Sequence, residues 1–487
     1  MCFIFILDSI HLLVSKLALP IQNSITYKTT IMKKILTICK CMAVLFVGTV
    51  TAVAQTWSPT TSMMNVREFH TATLLLNGKV LVTGGQNQTA PGPLASCELY
   101  DPSTGTWSAA ASLINGRVNH TATLLPNGKV LVTGGGVSGS GATTSCELYD
   151  PTTNTWTAAA SMTDPRPSHT ATLLPNGKVL VAGGYNFMVK LASCELYDPL
   201  TNTWSAAASM ANGRYHHTAV LLPNGKVLVA GGRGNGTSYL SSCELYDPAS
   251  NTWSTAASMA ESRIDFTATL LLNGKVLAAG GDSNVKLSSS ELYNPTTNTW
   301  TTAGSMANAR SYHTATILPS GAVVVTGGNS TAGSLPNCEL FDPATNTWTA
   351  TASMQTTRQW HTATLLTTGK VLVAGGDAMT ASGPQTTLAS SELYTPPALS
   401  TVNYSQNTLN VIAAPNPTSN KFTLVVQDGD TEKVDLSLYD ILGRLINHTE
   451  INAGQPFNFG EELAAGHYLA TLKQGANQQT VRLIKRQ

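Results

Sequence analysis

Charge is what this sequence has least of. Asp, Glu, Lys and Arg make up 11% of its 487 residues and the formal net charge is +1, where an average soluble domain carries ~25% charged residues. So even a balance offers no field for nucleic acid or an anionic membrane surface to follow, and neither is expected as a partner. Thr, Ser, Asn and Gly must supply the polar surface instead, which suits an exported β protein better than a cytosolic enzyme. A long uninterrupted apolar run is also missing. The apolar stretch after Met32 is broken by Lys40 and is short for a bilayer, so no integral membrane span is expected in the mature chain.

That stretch has a different reading. Lys33 and Lys34, an apolar run to Val50 and then Ala52-Val53-Ala54 before Gln55 form a charged region, an apolar region and a cleavage site. Residues 32–54 are therefore expected to be a secretory signal peptide, cut near Ala54. Residues 1–31 carry Asp8 and Lys16 among apolar residues and show no role; translation is expected to begin at Met32, with 1–31 a spurious extension.

From Gln55 the chain repeats. Tryptophans fall at 57, 107, 156, 204, 253, 300 and 348, and double glycines begin at 84, 134, 183, 231, 280, 327 and 375. Such a period marks a repeat architecture. Each copy holds four short β-type runs. In the second they are His120–Leu125, Lys129–Thr133, Cys146–Tyr149 and Thr155–Ser161. Asn127-Gly128 makes a hairpin between the first two, and Asp150-Pro151 a turn between the last two. Seven units of four antiparallel strands describe an all-β, seven-bladed β-propeller over residues 55–397. The last copy has Ser391-Glu392-Leu393-Tyr394 but no Trp, so the strand near Thr56–Met63 is expected to complete its sheet and close the ring.

The double glycine after strand two, the Tyr (Phe341 once) before Asp-Pro and the Trp of strand four resemble the Kelch repeat, and with it the propeller of galactose oxidase and its relatives. For the oxidases the resemblance would imply a copper site with two tyrosines, two histidines and a cysteine bonded to one tyrosine. The cysteines here do not fit that part. Beyond Cys2, Cys39 and Cys41 of the leader, Cys97, Cys146, Cys194, Cys243 and Cys338 share one repeat position, taken by Ser290 and Ser391 in the other copies. Positions equivalent across blades stand too far apart for a disulfide, so these read as small buried residues and no metal or other cofactor is expected.

Function should lie where the copies differ. Trp to Arg is always ten residues and Arg to the glycine pair always 17, while the loop from the glycine pair to the Cys/Ser position varies from 8 to 14. That loop and the strand-four crossover leave one face of the ring, which becomes the candidate binding face. The pairs after each Arg lie there: Glu68-Phe69, Val118-Asn119, Pro167-Ser168, Tyr215-His216, Ile264-Asp265, Ser311-Tyr312 and Gln359-Trp360. Tyr185, Phe187, Arg233, Asp282 and Asp377 follow the glycine pairs. Phe69, Tyr185, Tyr215, His216, Arg233, Asp265, Tyr312 and Trp360 are the candidate ligand-binding residues, with aromatic faces for a sugar ring or a protein hot spot. The Arg and Glu found in every copy (Arg117 with Glu147, Arg214 with Glu244) read as structural pairs, and the six repeated histidines as packing or channel-lining groups. No catalytic residue is assigned, since no Ser-His-Asp order, metal-ligand spacing or phosphate loop stands out. The reading is a binding or adhesion module for a glycan or protein, with a carbohydrate-active or oxidising enzyme as the alternative.

Residues 398–411 read as a linker and 412–487 as a small β-sandwich. Ala414-Pro415-Asn416-Pro417, Leu438-Tyr439-Asp440-Ile441-Leu442-Gly443-Arg444, Ala465-Gly466-His467-Tyr468 and the basic Lys485-Arg486 resemble the type A sorting domain of the type IX secretion system. The resemblance implies that machinery as a partner, and a secreted or outer-membrane-attached location.

Overall fold

In the second repeat, Val130–Thr133 is buried at all four positions. A strand that hides both of its faces needs a neighbour on each side, and the alternation of side chains shows which. Leu131 packs with Val179 and Val181 of the following repeat, while Val130 and Val132 pack with Leu81 and Cys97 of the preceding one. Each sheet is thus a blade clasped between two others. The computed structural model describes residues 55–88, 92–138, 141–236, 238–379, 383–397, 409, 411–414, 418–426, 433–440, 445–463, 466–474 and 477–485. The proposed extension and signal peptide, and nearly all of the linker, lie outside them.

Residues 55–397 form seven four-stranded antiparallel sheets, each with its strands in chain order except the last. The first is Thr71–Leu74, Val80–Thr83, Cys97–Asp101 and Thr106–Ala110. The first strands of the seven sheets stand side by side in a closed circle. In the seventh sheet Thr56–Thr60 supplies the outer strand, pairing Thr56 with Thr395 through Thr60 with Ser391. The fold is a seven-bladed Kelch-type propeller closed by its N-terminal strand.

The repeated residues explain how blades lock together. Tyr149 packs on Trp156 at 5.1 Å between ring centres, and Trp156 Nε1 donates to the Ala111 carbonyl of the preceding blade at 2.9 Å. Asn154, at φ 51°, accepts from the Tyr149 hydroxyl and from the Ala111 amide. The glycine pair is a matter of space. A Cβ on Gly183 would lie 2.5 Å from the Arg214 carbonyl and 2.7 Å from His217 Cε1, so only glycine lets the next blade approach. The five cysteines are free and buried, and burial pushes the Cys146 thiol up to about 12, which makes it a packing group and not a reactive one.

Residues 411–485 form a second all-β unit. A three-stranded sheet (Val411–Ala414, Phe422–Val426, Phe457–Phe459) faces a four-stranded one (Leu445–Asn452, Lys433–Asp440, Gly466–Gln474, Asn477–Lys485). Phe422, Leu424, Leu436, Leu438, Leu472 and Leu483 fill the core between them, the arrangement of a small sandwich. Among the described residues no helix is long and apolar enough to cross a membrane.

Candidate functional site

The second residue after each repeat arginine adopts a left-handed backbone, and none of the seven is glycine. Phe69, Asn119, Ser168, His216, Asp265, Tyr312 and Trp360 have φ between 51° and 56°. Their peptide groups are joined round the ring: each amide donates to the carbonyl of the preceding blade's residue, from Asn119 to Phe69 (3.4 Å) and Ser168 to Asn119 (2.9 Å) on to Trp360 to Tyr312 (3.3 Å). Phe69 and Trp360 meet through their rings instead, at 4.5 Å. A backbone ring of this kind fixes seven Cα–Cβ directions at the mouth of the channel, whatever side chain each carries. Left-handed non-glycine residues each cost ~1–3 kcal/mol and persist where the surroundings over-determine them, typically at working sites.

The seven side chains divide into two walls. Tyr312, Trp360 and Phe69 are contiguous, with Tyr312 edge-on to Trp360 at 5.1 Å. Asn119, Ser168, His216 and Asp265 follow one another on the opposite arc and line a cavity of about 290 Å³. Its floor is His120, His169, His217 and Phe266. His216 Nδ1 lies 2.8 Å from Asp265 Oδ1. Burial, and then the charge of Asp265, push the Tyr312 hydroxyl far above its ordinary range. The Tyr312 hydroxyl donates to the Asp265 carboxylate, and Trp360 Nε1 is buried without a protein partner.

The other sequence-predicted residues sit just outside this ring. Tyr215 stacks on Tyr185 at 5.1 Å, and Tyr185 tilts against Phe187 at 5.6 Å. Arg233 pairs with Tyr215 through the backbone and lies over the Tyr239 ring at 5.8 Å. Glu68 and Asp377 are buried carboxylates held by Gln86, Gln88 and Gln359. Burial raises both, and Asp377's charge adds to the rise at Glu68. Asn119 and Ser168 were not singled out from the sequence: a small polar residue in a loop carries no signal until its ring neighbours are known.

The repeated arginines and glutamates are not at the mouth. All seven arginines are fully buried, and each reaches its blade's glutamate at 2.5–3.0 Å. Arg214 also donates to the Gly231 and Ser242 carbonyls, while Glu244 takes Arg214 on Oε1 (2.8 Å) and the Ala211 amide on Oε2 (2.7 Å). Arg117 and Glu147 repeat the pattern. Glu244→Ala should therefore destabilise the chain by ~3–5 kcal/mol, because it strands a buried guanidinium. An unfolding free energy from urea titration lowered by less than a quarter of that would show the pair to be dispensable.

The KLHDC2/KLHL20/DRC7 Kelch-repeats domain matches residues 39–213, 119–308 and 168–376. The chain belongs to the Kelch-repeat family. Residues 413–486 match the Secretion system C-terminal sorting domain. Among curated protein sequences, none matches the chain. Among solved structures, a fungal alcohol oxidase of the AA5 family in complex with copper aligns with TM-score 0.63 and 19% identity, over 88% of this chain and all of that one. The structure of YjhT aligns with TM-score 0.48 and 17% identity, over 60% of this chain and 99% of its own. The likeness to the alcohol oxidase, at that identity, shows a shared fold alone.

The residues of this Kelch propeller do not fit a copper centre with a cysteine bonded to tyrosine. The thiols point at backbone carbonyls inside the blades, as Cys97 does toward Ala95 at 3.6 Å. The repeat histidines are buried on threonine hydroxyls of the preceding blade, as His120 is on Thr71 at 3.0 Å. Among the described residues no three His, Cys, Asp or Glu side chains converge as metal ligands.

Proposed function

We propose that this is an exported binding protein whose channel mouth takes a small ring-shaped polar ligand, of the carbohydrate class. One observation carries the reading: at a single repeat position the chain displays an aromatic wall of Tyr312, Trp360 and Phe69 opposite a polar wall of Asn119, Ser168, His216 and Asp265. An aromatic platform stacks the apolar face of a sugar, and carboxylate, imidazole, amide and hydroxyl groups meet its hydroxyls. The buried and unpartnered Trp360 Nε1 is a donor that such a ligand would satisfy.

The sorting domain at 413–486 supports export by the type IX secretion machinery, with residues 32–54 as the signal peptide and a secreted or surface-attached product. A glycan array probed with the exported chain tests the ligand class. Trp360→Ala and Tyr312→Ala are each expected to weaken the captured glycan at least ~10-fold, since such anchors contribute ~2 kcal/mol or more. Unchanged affinity in both would move the binding site away from the channel mouth.

A further inference from the structure

From the same ring we infer that Ser168, His216 and Asp265 form a nucleophile–base–orienter set, with Asn119 as oxyanion donor, and that the mouth cleaves carboxylic esters of the O-acyl sugar class. The inference rests on the mouth being the ligand site.

The order on the ring is what carries it. Asn119, Ser168, His216 and Asp265 are four successive ring positions, each linked to the next by an amide-to-carbonyl bond, and all four line the one cavity. Neighbours joined in this way lie one peptide hydrogen bond apart, 2.9–3.4 Å from amide nitrogen to carbonyl oxygen. His216 has its two ring neighbours on opposite sides. On one side Asp265, its side chain only 5% exposed, holds Nδ1 at 2.8 Å. A carboxylate only accepts, so Nδ1 carries the proton, and Nε2 is left as the basic nitrogen on the far edge of the imidazole. The neighbour on the other side is Ser168. Neither His216 Nε2 nor the Ser168 hydroxyl is bonded to a described residue, and rotation about a single χ1 aims the hydroxyl. The Asn119 amide stands beyond Ser168, where a side-chain amide can receive the charge of a tetrahedral intermediate. The aromatic wall opposite would hold the sugar.

The steps balance without a cofactor. Ser168 Oγ bonds to the ester carbonyl carbon and its proton passes to His216 Nε2. The carbonyl oxygen takes the electron pair and meets the Asn119 amide. The C–O bond to the sugar then breaks, and His216 gives its proton to the departing alkoxide, leaving acyl-Ser168. Water repeats the sequence: its proton goes to His216, the acid leaves, and Ser168 Oγ recovers the proton. Asp265 stays ionised throughout and acts by holding the imidazole, so it is a positioning residue.

The test uses the full chain, a fluorophosphonate probe and p-nitrophenyl acetate. Ser168 sits at φ 56°, so the variant of choice is Ser168→Gly, which removes the hydroxyl and keeps the left-handed turn unstrained. The expected result is a mapped phosphonyl adduct on Ser168, lost in Ser168→Gly. Hydrolysis should fall at least ~100-fold in Ser168→Gly and in His216→Ala. Asp265→Asn should lower kcat by a similar factor with KM little changed, because the wrong nitrogen of His216 would then carry the proton. An adduct elsewhere, or equal hydrolysis by the parent chain and Ser168→Gly, overturns the assignment. The binding reading fails separately: glycan capture retained by Ser168→Gly supports it, whereas an adduct on Ser168 in a chain that captures no glycan leaves the nucleophile standing without it.

Discussion

Titrated from pH 7 to pH 4, the propeller should lose its stability steeply and unfold as a unit. Six histidines, His70, His120, His169, His217, His313 and His361, are buried between blades. Burial first, and then the charge of the neighbouring repeat arginine, hold each below its ordinary value, at about 3 for His70, His169 and His313. Unfolded histidine titrates near ~6.5. Below that pH the unfolded chain binds more protons than the folded one, so stability falls from ~6.5 down to about 3. Each histidine costs ~1.4 kcal/mol per pH unit inside that window. The three held at about 3 together cost ~4 kcal/mol per unit, a large part of the ~5–15 kcal/mol stability of many domains, and His120, His217 and His361 act in the same direction.

Glu68 and Asp377 act in the opposite sense. Their raised values mean that the folded state takes up protons first on acidification, but they are two groups against six. Calorimetry between pH 7.5 and 4.5 measures the outcome, and a melting temperature constant within a few degrees would contradict it. The fifth blade supplies the control. Phe266 stands there in place of His, and Thr218 Oγ1 is left buried without a partner, where Thr267 has His313 at 3.1 Å. Phe266→His should raise stability at pH 7.5 by giving Thr218 its bond, and steepen the acid loss by about one sixth.

How much of this was legible in the sequence depends on whether a position repeats. The blades, the glycine pairs and the closing strand could be read because seven copies state the same local rule and each copy checks the others. The Arg and Glu pairing was legible for the same reason, and its burial explains why a ring of seven arginines offers nothing to an anion. The mouth was only half legible. Its face and its aromatic members could be named from the variable pairs, but which residues touch depended on a feature with no sequence signature. The left-handed turn after each arginine is carried by Phe, Asn, Ser, His, Asp, Tyr and Trp alike, although bulky residues ordinarily avoid it. Ser168, His216 and Asp265 lie about one repeat apart in the chain and become neighbours only because the inner strands close into a circle. His216 and His217, adjacent in sequence, part company for the same reason: one meets Asp265 on the cavity wall, and the other lies in the cavity floor on Thr170 at 3.0 Å.

Removing residues 55–63 from the exported chain is expected to unfold or aggregate the whole propeller, although the segment belongs to one blade. Thr56–Thr60 contributes five consecutive pairs to the seventh sheet, and Trp57, 8% exposed, sits in a cluster with Leu318, Val324, Val373 and Tyr394 from blades six and seven. Its Nε1 donates to the Ala352 carbonyl at 2.9 Å. Met63 packs between Val82 of the first blade and Ala374 of the seventh, so the deletion opens the ring at its only chain break. What remains presents Ser391–Thr395 as an unpaired edge strand, a template for association between copies. Trp57→Ala isolates the packing part and should cost ~3–5 kcal/mol. Deletion adds the lost ladder and the exposed edge, and should exceed the total stability of ~5–15 kcal/mol. A deleted chain that stays monomeric in sedimentation and melts within about 5 °C of the parent would refute closure by this strand. An intermediate result is informative about cooperativity. Loss confined to the seventh blade, seen as hydrogen exchange limited to residues 362–395, would mean that blades fold as separable units, as in open repeat arrays. The ring of mouth residues argues against that, because all seven of its joints cross from one blade to the next and six of them are backbone hydrogen bonds. Opening the ring between the seventh and first blades therefore loosens the same backbone that sets Asn119, Ser168, His216 and Asp265 side by side.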